Sequence, residues 1–272
     1  MSIKVLFYVV YTKIKLVSIF WALFLSLQDS RNIHVQLSEI NLIIKGSGNQ
    51  PILYGYFYLD PDEVIVNGES KPYYRKRCQF DNDLNNVTIK FNKEVESCEK
   101  MFYELTNIIE IDLSKFDTSK VQSMESTFSQ CKSLGKINFG KINTSSVKSM
   151  KSLFLNCSQL TSIDLSNFDT SSVTLMNEMF SRCDSLKSLD VSKFNTQNVE
   201  HVEDMFVYYY SLMSINISNF DTSKVTFMKG MFYNCYSLKY LDISNFDTDS
   251  IENMNYMISE GLSFNIYKFW FI

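Results

Sequence analysis

A repeat of 26 residues fills most of this 272-residue chain and constrains its fold more than any other feature. Several residue types recur at that spacing, among them Phe, Leu, Thr and Met, and no insertion breaks the register from about Val95 onward. A single unit of this length cannot bury its apolar side alone, so successive units must stack and share a core. The columns are Phe102, Phe128, Phe154, Phe180, Phe206 and Phe232; Leu134, Leu160, Leu186, Leu212 and Leu238; and Thr118, Thr144, Thr170, Thr196, Thr222 and Thr248.

Each unit contains two different hydrophobic periodicities. In "LTSIDLSNF", Ile163 and Leu165 alternate with Asp164, which is typical of a short strand. In "VTLMNEMFSRCDSL", apolar residues recur at spacings of three and four from Val173 to Cys183, which favours one face of a helix. Between them, "FDTSS" supplies side chains that cap helix N-termini. The sequence therefore predicts an α/β repeat of strand, turn, helix and turn.

The fuller pattern "MF..C.SL..IDLSNFDTS.V..M" resembles the BspA-like leucine-rich repeats of bacterial and protist surface proteins. The resemblance covers residues 95–272 and implies a leucine-rich-repeat solenoid of six units plus a partial seventh. Members of that family are mostly implicated in adhesion and protein binding at cell surfaces. The resemblance therefore implies a surface protein whose partner is a protein or extracellular matrix ligand.

The first 27 residues differ in composition from the rest of the chain. Three lysines, at positions 4, 13 and 15, precede an uncharged run from Leu16 to Leu27. A basic start followed by an apolar run predicts a signal peptide or signal-anchor over residues 1–27. This interpretation places the protein at the cell surface or outside the cell, with membrane anchoring through that segment. The alternative is an intracellular protein in which the apolar segment is buried.

Residues 32–92 lie outside the repeat and have their own pattern. "HVQLSEINLIIKGSG", "PILYGYFYL" and "DEVIVNG" indicate short strands separated by Gly, Pro and Asn turns. They predict a small β-rich N-terminal cap, since the open end of a stack of repeats needs cover. A separate ligand-binding β domain is the alternative.

The other end of the chain keeps the repeat register. "GLSFNIYKFWFI" predicts a seventh strand with an exposed apolar edge. Such an edge pairs readily with another chain, so self-association through the C-terminal end is expected unless longer relatives continue the repeat.

The cysteines indicate packing more than chemistry. Four of them occupy one repeat column on the predicted helix's apolar face, and Tyr209 fills the gap in that column. We interpret this column as buried small side chains, with disulfides between neighbouring turns as the alternative. Cys98 could also pair with Cys78. Zinc is disfavoured because no C-x-x-C pair and no nearby His accompany the column. The column comprises Cys131, Cys157, Cys183 and Cys235.

Nothing in the sequence predicts catalysis, a cofactor or a metal. The chain has two histidines, His34 and His201, and we interpret His201 as a solvated residue of a predicted helix. Nucleophile-elbow, phosphate-loop and HExxH motifs are missing from the sequence. The net charge of −4 argues against a nucleic-acid partner. The sequence therefore predicts a protein that is not an enzyme.

One polar column is the candidate ligand-binding surface. Its members alternate with inward-facing strand residues, so they are expected to line the solvent side of the strands. Carboxylates spaced by about 4.8 Å repel one another, which favours cations or a basic partner. The alternative is a role in solubility and in blocking edge-to-edge strand pairing. The column is Asp112, Asn138, Asp164, Asp190, Asn216 and Asp242.

A second polar column follows five residues later, at the predicted strand-to-helix turn. There we expect the side chains to cap helices and to bind no ligand. The column is Asp117, Asn143, Asp169, Asn195, Asp221 and Asp247. The combined expectation is a non-catalytic cell-surface binding or adhesion module that acts through its strand face. An intracellular protein-interaction scaffold is the alternative.

Overall fold

The computed structural model describes residues 38–258 of the chain. Nine strands lie within these residues, whereas no helix does. They are β1 (Ser38–Lys45), β2 (Gly48–Pro51), β3 (Glu63–Val66), β4 (Glu69–Ser70), β5 (Tyr73–Tyr74), β6 (Arg77–Phe80), β7 (Leu84–Phe91), β8 (Ile108–Lys115) and β9 (Lys136–Asn138). The predicted signal or anchor segment, His34 and the seventh strand lie outside the described residues. A search of residues 38–258 finds no helix capable of spanning a membrane.

Two sheets form from these strands. The larger has six strands in the order β4-β3-β7-β1-β8-β9, and the smaller has three in the order β2-β6-β5. β1 lies between β7 and β8 and pairs antiparallel with both, whereas β8 and β9 pair in parallel. Ile40, Leu42 and Ile44 alternate along β1 and are buried, which fixes the inner face of the larger sheet.

The predicted strands before the repeat are only partly present. The first stretch contains β1 and the third contains β3. "PILYGYFYL" contributes only Pro51 to a strand. The rest of it forms a turn, because the backbone amide of Phe57 donates to the carbonyl of Tyr54 at 2.9 Å. Since β8 belongs to the first repeat, the larger sheet joins β1, β3, β4 and β7, which precede the repeat, to the repeat itself.

The repeats lie side by side, each in parallel with the next. Single bridges join Ser97 to Ser123 and Ser123 to Ser149, and the series continues to Asn253. The column of phenylalanines forms a buried ladder of stacked rings inside. Its successive ring centroids, from Phe102 to Phe232, are 5.8, 5.5, 5.5, 5.9 and 5.3 Å apart. The apolar columns of the sequence are therefore the core.

The prediction of an α/β leucine-rich-repeat solenoid with strand-turn-helix units is wrong, because the segments expected to be helices are chains of turns. Two residues of each segment, four apart, have left-handed backbone conformations, such as Ser126 (φ 53°) and Gln130 (φ 64°). A right-handed helix cannot pass through such a residue. The first left-handed column is Lys100, Ser126, Ser152, Glu178, Asp204, Gly230 and Tyr256, and the second is Glu104, Gln130, Asn156, Arg182, Tyr208 and Asn234.

Hydrogen bonds show what replaces the helix. The amides of Ser126 and Phe128 donate to carbonyls of the next repeat, at 2.9 and 3.0 Å. The amides of Thr127 and Ser129 donate back by three residues within the repeat, at 3.3 and 3.2 Å. Alternate amides thus join repeats and close turns, so every donor of this stretch is used. The three- and four-residue apolar spacing comes from these turns.

Within the repeats up to residue 258, regular pairing between strands is limited to β8 and β9. Further along, the described repeats have only isolated bridges at this position, such as Leu189 to Ile215. A buried threonine supplies a second connection between neighbours: Thr170 Oγ1 donates to the carbonyl of Asn195 at 2.9 Å and accepts from its amide at 2.8 Å. The same pair of bonds begins at Thr118, Thr144, Thr196 and Thr222.

Candidate binding surface

The predicted ligand-binding column lies at the outer side of the strand segments. Asp112 lies in β8 and Asn138 ends β9, and the other members follow at the same position of each repeat. Asn138, Asp164, Asp190 and Asn216 are exposed, whereas Asp112 and Asp242 are half-buried. We call this column, from Asp112 to Asp242, the acidic row.

Each member of the acidic row closes a turn. Its side-chain oxygen accepts a hydrogen bond from the backbone amide two residues later, as Asp164 does from Ser166 at 2.9 Å. The six bonds measure between 2.8 and 3.2 Å. Asn and Asp serve this turn equally, which explains why both occur in the column. The position is therefore structural as well as exposed.

The electrostatics of the row differ from the expected repulsion. Hydrogen bonds from the Ser166 hydroxyl and amide hold the pKa of Asp164 below its usual value, and Ser192 does the same for Asp190. Asn138 Nδ2 donates to Asp112 Oδ1 at 3.0 Å, so at this step of the row a hydrogen bond takes the place of repulsion between carboxylates. The turns at Asp164 and Asp190 thus favour the ionised carboxylate, so this part of the row presents negative charge in fixed positions.

A polar groove adjoins the start of the acidic row. It has a volume of about 480 Å³ and lies on the outer face of β7, β1, β8 and β9. Asp112 and Asn138 of the row line it, together with Asn41 and Thr88, whose side chains are joined by a 2.6 Å hydrogen bond. We call the acidic row and this groove together the strand-side surface. Sequence reasoning missed the groove because β1 and β7 lie outside the repeat and show no spacing that links them to β8.

The second polar column makes turns in the way predicted for caps, but no helix follows. Asp169 Oδ1 accepts from the amide of Ser171 at 3.0 Å, and its own amide donates to Thr144 Oγ1 at 2.8 Å. Hydrogen bonds from the Ser171 hydroxyl and amide lower the pKa of Asp169. These residues shape the turn between the strand segment and the chain of turns.

The four column cysteines are buried between repeats. Each thiol donates to the carbonyl of a ladder phenylalanine, as Cys157 does to Phe128 at 3.1 Å. Burial raises the pKa of Cys131 to about 12 and that of Cys157 well above its usual value. Cys78 and Cys98 are buried as well, and no cysteine of residues 38–258 forms a disulfide. Within the same residues no group of His, Cys, Asp and Glu is arranged to hold a metal.

His201 does not lie on a helix, contrary to the prediction. It is half-buried, its ring stacks on Phe227 at 5.1 Å, and its Nδ1 lies 3.0 Å from Glu203 Oε1. The side chain is thus held in the stack between two repeats.

A second groove was missed by sequence reasoning. Its volume is about 340 Å³, and it lies on the chains of turns at residues 204–208, 229–233 and 256. The only sequence signal for it is departure from the repeat: Gly230 stands in a column with no other glycine, and tyrosines cluster from Tyr208 to Tyr210.

Comparison with known proteins agrees with the repeat boundaries. The chain matches the family described as "Mycoplasma protein of unknown function, DUF285" over residues 95–216 and 208–269. No curated protein matches it. A solved structure, the leucine-rich repeat protein of T. pallidum, is 18% identical over 61% of this chain and 72% of that chain, with a TM-score of 0.39. Since the family match spans more than half of the sequence, the chain belongs to the DUF285 family.

Proposed function

We propose that this chain is a non-catalytic protein-binding module that acts through its strand-side surface. The observation that carries the proposal is the acidic row. The carboxylates of Asp164 and Asp190 are exposed, and hydrogen bonds from backbone amides fix their positions. Preorganised charge of this kind lowers the entropy cost of binding a partner. The adjoining groove adds polar groups that converge on one side.

The partner expected from this surface is a protein with a basic patch, on a cell or in the extracellular matrix. Ionised aspartates attract lysine and arginine side chains, and steering by such charge raises the association rate. The resemblance of the repeat to BspA-like surface proteins supports an adhesive role outside the cell. We propose export or anchoring through residues 1–27 on the same basis.

An intracellular scaffold is the second candidate. It is favoured by the six buried cysteines, none of which forms a disulfide, since disulfides form and persist mainly in oxidising compartments such as the cell exterior. Fractionation of the full chain with N-terminal sequencing separates the two. A mature start near residues 28–32 in the secreted fraction supports export, and an intact Met1 in the membrane pellet supports an anchor. An intact Met1 in the cytosol contradicts the surface role.

Binding is tested with the full chain on immobilised collagen, fibronectin and laminin by surface plasmon resonance. The double substitution Asp164→Asn with Asp190→Asn removes two charges and preserves both turns, because Asn fills the same position at Asn138 and Asn216. We expect several-fold weaker binding and a smaller dependence on salt.

The matched control makes the same change in the neighbouring column, Asp169→Asn with Asp221→Asn. These residues close equivalent turns, at 3.0 Å to Ser171 and Ser223. The control is expected to bind like the wild type. Equal loss in both double variants would show that general charge, and not the acidic row, governs binding. Failure of the wild type to bind any of the three proteins would count against a matrix partner.

A further inference from the structure

The second groove has properties that the strand-side surface lacks. We call it the tyrosine groove. Three tyrosines, one carboxylate, one exposed lysine, a glycine and a valine line it, and all come from the chains of turns. They are Asp204, Val207, Tyr208, Lys229, Gly230, Tyr233 and Tyr256.

Gly230 creates the space in this groove. Its φ of 63° is shared by side-chain-bearing residues at the same repeat position, including Ser126 and Ser152, both at 53°. The backbone conformation therefore does not require glycine at residue 230. The space does, because a Cβ there would overlap Asp204 Oδ1. The missing side chain leaves room for the carboxylate of Asp204 to reach the floor of the groove.

The three tyrosines form a connected wall. The Tyr233 ring meets Tyr208 edge-on, with centroids 5.9 Å apart and planes at 76°, and meets Tyr256 at 5.9 Å and 64°. Rings at such angles present both edges and faces to the space they enclose. The guanidinium of Arg182 lies 4.3 Å from the centroid of Tyr208, so this ring already contacts one cation.

Charge is separated within the groove. Asp204 is half-buried, and the charges of Lys229, Glu178 and Glu203 act on its carboxylate. Partial burial raises its pKa, and the nearby charge of Lys229 opposes that shift. Lys229 itself is exposed. The groove therefore has a negative group among aromatic rings and a positive group at its rim.

We infer that the tyrosine groove binds a zwitterionic headgroup of the phosphocholine type. A quaternary ammonium carries no N–H donors, so tyrosine rings and one carboxylate satisfy it without further acceptors. The phosphate two carbons away reaches the rim, where the exposed Lys229 supplies an ammonium group to pair with it. A primary ammonium would need three hydrogen-bond acceptors, and the groove offers mainly ring surface.

The test is calorimetric titration of the full chain with phosphocholine. Asp204→Asn removes the charge, and Gly230→Ser introduces the residue that this repeat position carries at Ser126 and Ser152. Each is expected to weaken binding roughly tenfold. Tyr236→Ala is the control. It removes a 60% exposed tyrosine that stacks on Tyr210, away from the groove, and binding should stay at the wild-type level.

The two charges are separated by a second set of titrations. Lys229→Met should weaken phosphocholine binding and leave choline binding unchanged. The isostere 3,3-dimethylbutyl phosphate has the shape of phosphocholine without the positive charge and should bind at least tenfold more weakly. Equal binding of the isostere, or unchanged binding by both Asp204→Asn and Gly230→Ser, would overturn the inference. So would a wild-type protein that does not bind millimolar phosphocholine.

Sedimentation with phosphatidylcholine vesicles distinguishes the source of the headgroup. Co-sedimentation that free phosphocholine competes away indicates a lipid, and binding of free phosphocholine alone indicates a soluble ligand. Both outcomes support the groove's chemistry. The inference is independent of the proposed function, since Asp164→Asn with Asp190→Asn is expected to leave phosphocholine binding intact.

Discussion

Replacing Thr170 by valine tests the hydrogen bonds that join the repeats. The side chain is 1% exposed, and its hydroxyl both donates to the carbonyl of Asn195 at 2.9 Å and accepts from the Asn195 amide at 2.8 Å. Valine has nearly the same shape, so Thr170→Val removes two hydrogen bonds without opening a cavity. A purely hydrophobic account of the core predicts no loss, or a gain, for this change.

The magnitude follows from the two bonds. A typical intramolecular hydrogen bond contributes about 1 kcal/mol to stability, so Thr170→Val should lower the free energy of unfolding by about 2 kcal/mol. For a folded unit of this size that corresponds to a fall in melting temperature of roughly 4–8 °C. Thr170→Ser keeps the hydroxyl and loses one methyl group, and it should cost about 0.8 kcal/mol.

Thermal unfolding of the full chain, followed by circular dichroism, measures these differences. Thr248→Val is the matched control, because Thr248 occupies the same column but is exposed. It should shift the free energy of unfolding by less than about 0.5 kcal/mol. A Thr170→Val protein that melts at or above the wild-type temperature, or a Thr170→Ser protein that is the less stable of the two, would refute the reasoning.

Three further changes test the interior. Phe154→Ala should lower the free energy of unfolding by about 3–5 kcal/mol in urea titrations, since its ring stacks on Phe128 and Phe180 at 5.5 Å each. Tyr209→Phe should raise it by about 1 kcal/mol, because the buried Tyr209 hydroxyl has no hydrogen-bond partner among residues 38–258. Burial raises the pKa of Cys131 to about 12, so its stabilising contribution is complete below the unfolded pKa and is lost as pH rises towards 12. Between about pH 8.5 and 10.5 the free energy of unfolding of the wild type falls as pH rises. In Cys131→Ala this fall should be smaller by about 1.4 kcal/mol per pH unit, measured as melting temperature against pH.

The interior columns could be predicted from the sequence, but the path of the chain through them could not. Phe128 and Cys131 are buried, as their column positions indicate. Their spacing of three fits a helix and a chain of turns equally well. The left-handed backbone at Ser126 and Gln130 decides in favour of the chain of turns. Neither residue is a glycine, the residue type that would have indicated this conformation in the sequence. Hydrogen bonds to the next repeat stabilise these conformations, and such bonds join residues that lie far apart in the sequence.

The candidate binding surface was predictable to the same partial extent. Asp164 of the acidic row is exposed, as its alternation with Ile163 and Leu165 predicted. Its turn-closing role was missed because the strand was expected to continue regularly, whereas the chain bends directly after Asp164. The groove beside it depends on the antiparallel pairing of β1 with β8. That pairing joins a non-repeated segment to a repeated one, and spacing within the repeat carries no information on it.

The repeat indicates where in this molecule a unique functional site can be expected. A residue that stands between identical neighbours is constrained by both, as the stacked rings on either side of Phe154 show. A substitution that breaks a column therefore costs stability unless something else is gained. Gly230 is such a break, since it removes a side chain from a column in which serine, lysine and glutamate keep theirs with the same backbone. The carboxylate of Asp204 occupies the space that results, and the adjoining tyrosines enclose it. In a chain built of equal units, the residues that depart from the repeat are thus the ones whose side chains can serve a function other than packing.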